Sequence, residues 1–302
     1  MKKRILALGL TVALAAASLA ACGGASTKTT EKATEAGTEQ GSEKATEAAK
    51  EEKADSGELR TYKLGVNGSD HEEWEKANEL LQKDNIKLEM VEFSDYVKPN
   101  EALEDGEIDL NAFQTEIYFN NFVKERGYTD LGILAYTQVA PMGIYSSKYK
   151  SLDEATGHLI IAIPNDVTNG GRALKFLEKN GFLTLKKEAG LTPTVMDIEK
   201  YNKDVEIVEM VATQIPASLP DLSFACINNG VAKDAGLTLK NDAIVYEDYK
   251  EPDMKNYWNI IAAKKDRIES EDFQKIKKAY NSDEVKQVVL EHYDGQSIPV
   301  WD

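Results

Sequence analysis

An α/β fold with mainly parallel sheets is the architecture this sequence predicts, and three observations predict it. Leu159 to Ile163 is a continuous apolar run, as expected of a strand buried on both faces. Pro164 ends that run, Asn165 to Gly171 has turn chemistry, and Arg172-Ala-Leu-Lys-Phe-Leu177 reads as the first turns of a helix. The same alternation recurs along the chain, and strands separated by helices imply right-handed βαβ units.

The chain opens on a targeting pattern. Lys2, Lys3 and Arg4 form a basic start, Ile5 to Ala17 an apolar stretch, and Leu19-Ala-Ala-Cys22 its end. The last four residues resemble the bacterial lipobox. Residues 1–21 are therefore expected to be a lipoprotein signal peptide and Cys22 the lipidated mature N-terminus. Acyl chains there would hold the protein to the extracytoplasmic face of the cell membrane without spanning it. Residues 22–58 form an expected disordered tether. They contain no aromatic residue, and Glu31-Lys-Ala-Thr-Glu-Ala36 recurs as Glu43-Lys-Ala-Thr-Glu-Ala48. So polar a stretch buries too little to offset its ordering entropy.

The expected fold spans residues 59–302. Of the formal charge of −16, residues 1–21 carry +3 and residues 22–58 carry −4, which leaves −15 on the fold. That argues against nucleic acid, whose binding is driven by basic surface. Cys226 lies in an apolar run without a partner for a disulfide, and His71, His158 and His292 are far apart with no metal-ligand spacing. No nucleophile signature and no phosphate-binding glycine loop is present, so neither an enzyme nor a cofactor is expected.

The elements follow in order. Tyr62, Leu64 and Val66 alternate as a strand, and Asp70 to Gln82 is a helix opened by a capping-box pattern, Asp70-His-Glu-Glu73. Ile86, Leu88 and Met90 form a second strand. Pro99 opens a short helix that Gly106 ends, and Ile108, Leu110 and Ala112 alternate again. Thr115 to Arg126 is a helix ended by Gly127, followed by strands at 131–137 and 139–146. After the 159–163 strand, a helix is expected from Gly170 to Lys179 with Thr168 or Asn169 as its cap. Strands then read at 205–211, 223–227, 243–246 and 257–263, and two final helices begin at Ser270 and Ser282.

The loop before Arg172 can hold an anion, because a helix N-terminus directs free N–H groups and a positive dipole end into it. Arg172 adds a planar fork suited to a carboxylate. From local pattern alone, a surface arginine on an ordinary βα turn fits as well.

Several blocks resolve that choice by resemblance. Tyr96-Val-Lys-Pro-Asn-Glu-Ala-Leu-Glu-Asp-Gly-Glu-Ile-Asp-Leu-Asn-Ala-Phe-Gln114, Pro141-Met-Gly-Ile-Tyr-Ser146, Ile163-Pro-Asn-Asp-Val-Thr-Asn-Gly-Gly-Arg-Ala-Leu174, Ala225-Cys-Ile-Asn228 and Tyr257-Trp-Asn-Ile-Ile261 occur in this order. Together they resemble the substrate-binding lipoproteins of methionine ABC importers, the NlpA-type lipoprotein family. The resemblance covers roughly residues 60–302. It implies a two-lobe, periplasmic-binding-protein-like fold of type II with the ligand cleft between the lobes. Lobe 1 is expected at 59–145 plus 247–302 and lobe 2 at 146–246. The crossings should fall near Ile144 to Ser147 and near Tyr246 to Asp248, with the C-terminal helices in lobe 1.

The resemblance also assigns a site. Tyr96 and Phe113 match aromatic positions around a thioether pocket, and Tyr118 a further contact. Arg172 matches the carboxylate clamp, and Asn228 and Asn259 match positions that fix the head group. The bland alternatives are core aromatics for Tyr96 and Phe113 and a helix cap for Asn228. Asn is disfavoured in strands, which makes a polar role for Asn259 more telling. The chain departs from the family where Phe113-Gln-Thr-Glu-Ile-Tyr-Phe119 places Thr115 at a His position of relatives and Ile117 at a Pro. Ile227-Asn-Asn-Gly230 and Pro216-Ala217 depart nearby. These changes bear on which amino acid is bound. The implied function is a monomeric binding protein for an amino acid, methionine first, serving an ABC importer permease. The alternatives are another apolar amino acid or a short Met-containing peptide as ligand, or a surface interaction lipoprotein without a transport role.

Overall fold

The structure, a computed structural model, describes residues 57 to 301. The leader, Cys22 and nearly all of the tether lie outside the described residues.

The elements alternate as expected through the first half. They are β1 (Arg60–Asn67), α1 (Glu72–Leu81), β2 (Ile86–Phe93), α2 (Lys98–Glu104), β3 (Leu110–Asn111), α3 (Glu116–Arg126) and β4 (Leu131–Val139). Next come β5 (Gly143–Tyr145), β6 (Leu159–Pro164), α4 (Val167–Lys179), β7 (Leu183–Leu185), β8 (Ile198–Tyr201) and β9 (Val205–Met210). The chain ends through α5 (Ile215–Ser218), β10 (Phe224–Ile227), α6 (Asn229–Asp234), β11 (Ala243–Tyr246), β12 (Trp258–Lys264), α7 (Lys265–Ile268), α8 (Glu271–Tyr280), α9 (Asp283–His292) and β13 (Ile298–Pro299).

Two separate sheets organise these elements. The first has the order β13-β4-β12-β3-β1-β2 and the second β11-β5-β10-β6-β9. Both are mixed, which corrects the expectation of mainly parallel sheets. Helical crossovers make β1 parallel to β2 and β3, and β6 parallel to β9 and β10. The strands beside the passages from one sheet to the other, β4, β5, β11 and β12, pair antiparallel. Each of these pairs includes β5 or β12, which enter from the other sheet rather than through a helix on their own, so no crossover rule fixes their direction. The chain leaves the first sheet at Val139 and enters the second at Gly143, upstream of the expected Ile144 to Ser147. It leaves again at Tyr246 and re-enters the first sheet at Trp258.

Each sheet has its own core. Leu64, Trp74, Leu110 and Ile261 meet Phe273, Ile276, Tyr280 and Val285, so the C-terminal helices complete the first lobe. Ile144, Ile161, Leu174, Phe182, Phe224 and Cys226 build the core of the second.

Local chemistry fixes the helix ends. Thr115 Oγ1 accepts from Tyr118 N at the start of α3, and Gly127, at φ 69°, ends it. Ser270 and Ser282 cap α8 and α9 as expected. Two ends differ. Neither partner of a capping box opens α1, whose N-cap is His71 without a side-chain cap bond. For α4 the cap is Asp166 rather than Thr168 or Asn169, and the helix begins at Val167, so the glycines read as a turn lie inside it. Close packing explains them. A Cβ on Gly170 would stand 2.7 Å from Pro164 O, and one on Gly171 2.8 Å from Thr192 Cα. Helix propensity yields there to close backbone contact.

Candidate ligand cleft

A cavity of about 640 Å³ lies between the carboxyl-end loops of the two sheets. That volume suits a small organic ligand. Tyr96, Phe113, Thr115 and Tyr118 line it from the first lobe with Asn259, while Arg172 and Asn228 line it from the second. The structure thus brings all seven expected site residues to one space.

The first-lobe side is an aromatic wall. The rings of Tyr96, Phe113 and Tyr118 form a triangle with centroid separations of 5.9, 6.1 and 6.2 Å. Edge-on and tilted contacts of this kind suit the ring quadrupoles. Tyr118 Oη donates to Tyr96 O at 2.9 Å, which ties the α2 loop to α3. Burial raises the Tyr96 and Tyr118 phenols above their ordinary range. Both therefore act here as neutral rings.

A buried amide cluster that sequence reasoning left without a role holds this wall. Asn100 and Gln114 exchange two hydrogen bonds of 2.7 Å, and Gln114 Nε2 also donates to Asn111 Oδ1 at 2.8 Å. These residues flank Phe113. One signal was present in the sequence, since Gln114 falls where the apolar alternation of Ile108, Leu110 and Ala112 would continue. Thr115 and Asn259 face each other across an isolated antiparallel backbone bridge. Ile260 N donates to Gln114 O at 3.0 Å beside it. This bridge seats β12 against the start of α3.

The second-lobe side is polar. Arg172 sits in the body of α4, buried with 3% of its surface exposed. It is neither at the helix start nor on the surface. Its Nε donates to Glu247 Oε1 and Oε2 at 3.0 and 3.1 Å, and its Nη2 donates to Glu247 and to Ala140 O. The Tyr257 ring lies 4.2 Å from its Cζ. Glu247 in turn accepts from Met142 N at 2.7 Å. Arg172 and Glu247 therefore join α4 to both passages between the lobes, and Nη1 is the part of the guanidinium not engaged in these bonds. The sequence could not show Glu247 as the partner, since it lies 75 residues away.

Asn228 is not a side-chain cap of α6. Its Nδ2 donates to Asn169 Oδ1 at 2.7 Å, while its Oδ1 is buried and has no partner among the described residues. Asn67 Oδ1, Gln138 Oε1 and Asn229 Oδ1, also around the cavity, are buried acceptors in the same condition. Orphaned buried acceptors are costly unless something donates to them. The site thus joins an aromatic wall, a guanidinium and unpaired carbonyl oxygens. That is a set for an apolar side chain, an anion and a donor.

The family model described as NlpA lipoprotein matches residues 62–301. The chain belongs to the NlpA lipoprotein family. It is 40% identical over 243 residues to the D-methionine-binding lipoprotein MetQ of Escherichia coli K12, covering 79% of this chain and 88% of that protein. A probable D-methionine-binding lipoprotein MetQ of Vibrio cholerae is 40% identical over 225 residues, 74% of this chain and 82% of that one. Among solved structures, a nutrient-binding protein from Burkholderia cenocepacia bound to methionine is 35% identical. It superposes with a TM-score of 0.75 over 80% of this chain and all of that one (100%). The substrate-binding protein of a methionine transporter from Streptococcus pneumoniae gives 38% identity and a TM-score of 0.75 over 80% and 96%. The fold is the two-lobe fold of these binding proteins.

Proposed function

We propose that this chain is the lipid-anchored substrate-binding protein of an ABC importer and takes an amino acid, methionine first, into the cleft between its lobes. The observation that carries this reading is the joining, in one interlobe cavity, of the Tyr96–Phe113–Tyr118 wall with Arg172 and the unpaired Asn228 Oδ1. In this assignment the wall takes the thioether side chain. Nη1 of Arg172 takes the carboxylate, and Asn228 takes the ammonium. Asn259 and Thr115 sit at the seam between β12 and α3, where they border the ligand. The names and bound methionine of the relatives support the same class of ligand.

Binding would be a closure. One lobe captures the ligand and the other completes the cage, so the ligand shifts an open–closed equilibrium about the 139–143 and 246–258 passages. The closed monomer would deliver its load to a membrane permease. Cys22 would carry the lipid and hold the protein at the extracytoplasmic face of the cell membrane. Native mass spectrometry of the purified protein tests the reading. The expected adduct has the mass of methionine. An adduct of another apolar amino acid or of a Met-containing dipeptide would move the specificity to Thr115, where the chain departs from its relatives. No adduct, and none after addition of amino acids, would contradict it.

A further inference from the structure

The amides at the head-group end present a chemical ambiguity, because an Asn side chain offers an acceptor or a donor according to which way it is turned. Here the turn is set from a distance. Asp166 lies at the N-cap of α4 and does not line the cavity. Its carboxylate accepts from Asn169 N at 2.9 Å, from Thr168 Oγ1 at 2.9 Å and from Asn169 Nδ2 at 3.0 Å to each oxygen. A carboxylate can only accept. Asn169 must therefore turn Nδ2 toward Asp166 and Oδ1 away from it. That Oδ1 receives Nδ2 of Asn228, which leaves Asn228 Oδ1 as the atom without a partner. Asn169 is 7% exposed, so water is largely kept from the relay. The charge of Asp166 also reaches the wall opposite. After burial, it is the next cause that holds the Tyr96 and Tyr118 phenols up.

We infer that Asp166 is the positioning residue of the head-group subsite: through Asn169 it holds Asn228, at the lining of the cavity, with its carbonyl unpaired, so that the subsite offers an acceptor to an ammonium. The inference rests on the amino-acid reading of the cleft. An amide at position 166 would weaken the lock, because Asn169 Nδ2 keeps one of its two acceptors there and loses the other. Its Nδ2 in place of Oδ2 would face Asn169 Nδ2, which frees Asn169 and then Asn228 to turn and bring a donor to the ammonium.

The test uses Asp166→Asn and Asp166→Ser, because Asn, Ser and Asp are comparable N-caps and the helix end is kept. Each folded protein is titrated calorimetrically with methionine and with 4-(methylthio)butanoate, which has the carboxylate and thioether but no ammonium. Wild type should prefer methionine by at least about tenfold, the worth of one charge-assisted hydrogen bond. Asp166→Asn should lose most of that preference while its affinity for the deamino compound stays within about threefold. Asp166→Ser, whose hydroxyl accepts or donates, should fall between. Equal weakening of both compounds would reduce Asp166 to a structural role and overturn the inference, as would an unchanged preference. A wild type that binds the deamino compound as well as methionine overturns the ammonium subsite and the relay together. A wild type that binds neither overturns the amino-acid reading itself.

Discussion

Arg172 and Glu247 carry the largest stakes of any pair at the level of single residues. Their side chains are 3% and 11% exposed, and each is the other's charge partner. Removing one partner of such a pair leaves an uncompensated buried charge, at a cost of about 3–5 kcal/mol. Arg172→Ala is therefore expected to lower the thermal midpoint markedly as well as abolish binding. The local reading of Arg172 as a surface arginine gives way here, since the guanidinium ties both interlobe passages to α4. The double variant Arg172→Ala/Glu247→Gln should recover most of the stability and none of the binding. Thermal melts and titrations of the two variants check this, and a double variant no more stable than Arg172→Ala would show that the pair is not coupled as drawn. Residue types legible in the sequence, such as an Arg on a βα unit and paired aromatics, line one cavity. What stayed hidden was who pairs with whom. Glu247 and Asp166 read as ordinary acidic residues, because their roles come from contacts that only the fold creates.

Among the elements, α3 shows how a helix end supports the site and α8 how one ties a helix to the sheet. The cap bond from Tyr118 N to Thr115 Oγ1 sets the start of α3, on which Tyr118 stands. Thr115→Ala should cost about 1 kcal/mol, or about 2–4 °C of melting midpoint for a domain of this size, and Thr115→Ser should restore it. Thr115→His should show the same loss and reorder the preference among apolar amino acids more than it weakens the common head group. Melts and a ligand panel read both effects; an unchanged ranking would remove Thr115 from the specificity determinants. In α8, Asp272 accepts from Arg60 Nε at 2.7 Å and from Tyr62 Oη, and so joins the first turn to β1. Burial pushes the Asp272 carboxyl up, but these hydrogen bonds outweigh it and hold it below its ordinary range. The folded state thus binds that proton less readily than the unfolded chain. Its contribution is complete above the unfolded value, near pH 4, and fades as pH falls through the lower folded value. Asp272→Asn should therefore flatten the acid end of the stability profile below about pH 4, measured by denaturation at stepped pH; an unaltered slope there would assign the acid sensitivity elsewhere. Helix existence was legible from period and caps, as at Ser270 and Ser282. The start of α4 was not, because its glycines serve backbone contact with Pro164 and Thr192 rather than a turn.

For the whole molecule, composition and alternation point to α/β, but two lobes follow only from the resemblance and the structure. Strand direction beside the passages could not be read, since antiparallel pairing there depends on how the chain returns from the other sheet. The resemblance of Leu19-Ala-Ala-Cys22 to a lipobox leads to a fractionation experiment: Cys22→Ala should release the protein from the membrane and leave binding unchanged. A membrane-bound Cys22→Ala protein would defeat the lipid anchor. The most direct test of the central claim is calorimetric titration of ligand-free protein with methionine, methioninamide, other apolar amino acids and Met-containing dipeptides. The account predicts a single site for methionine and at least about tenfold weaker binding of the amide, which cannot offer Arg172 a carboxylate. Heat from no amino acid, or an amide that binds as tightly as the free acid, would contradict it.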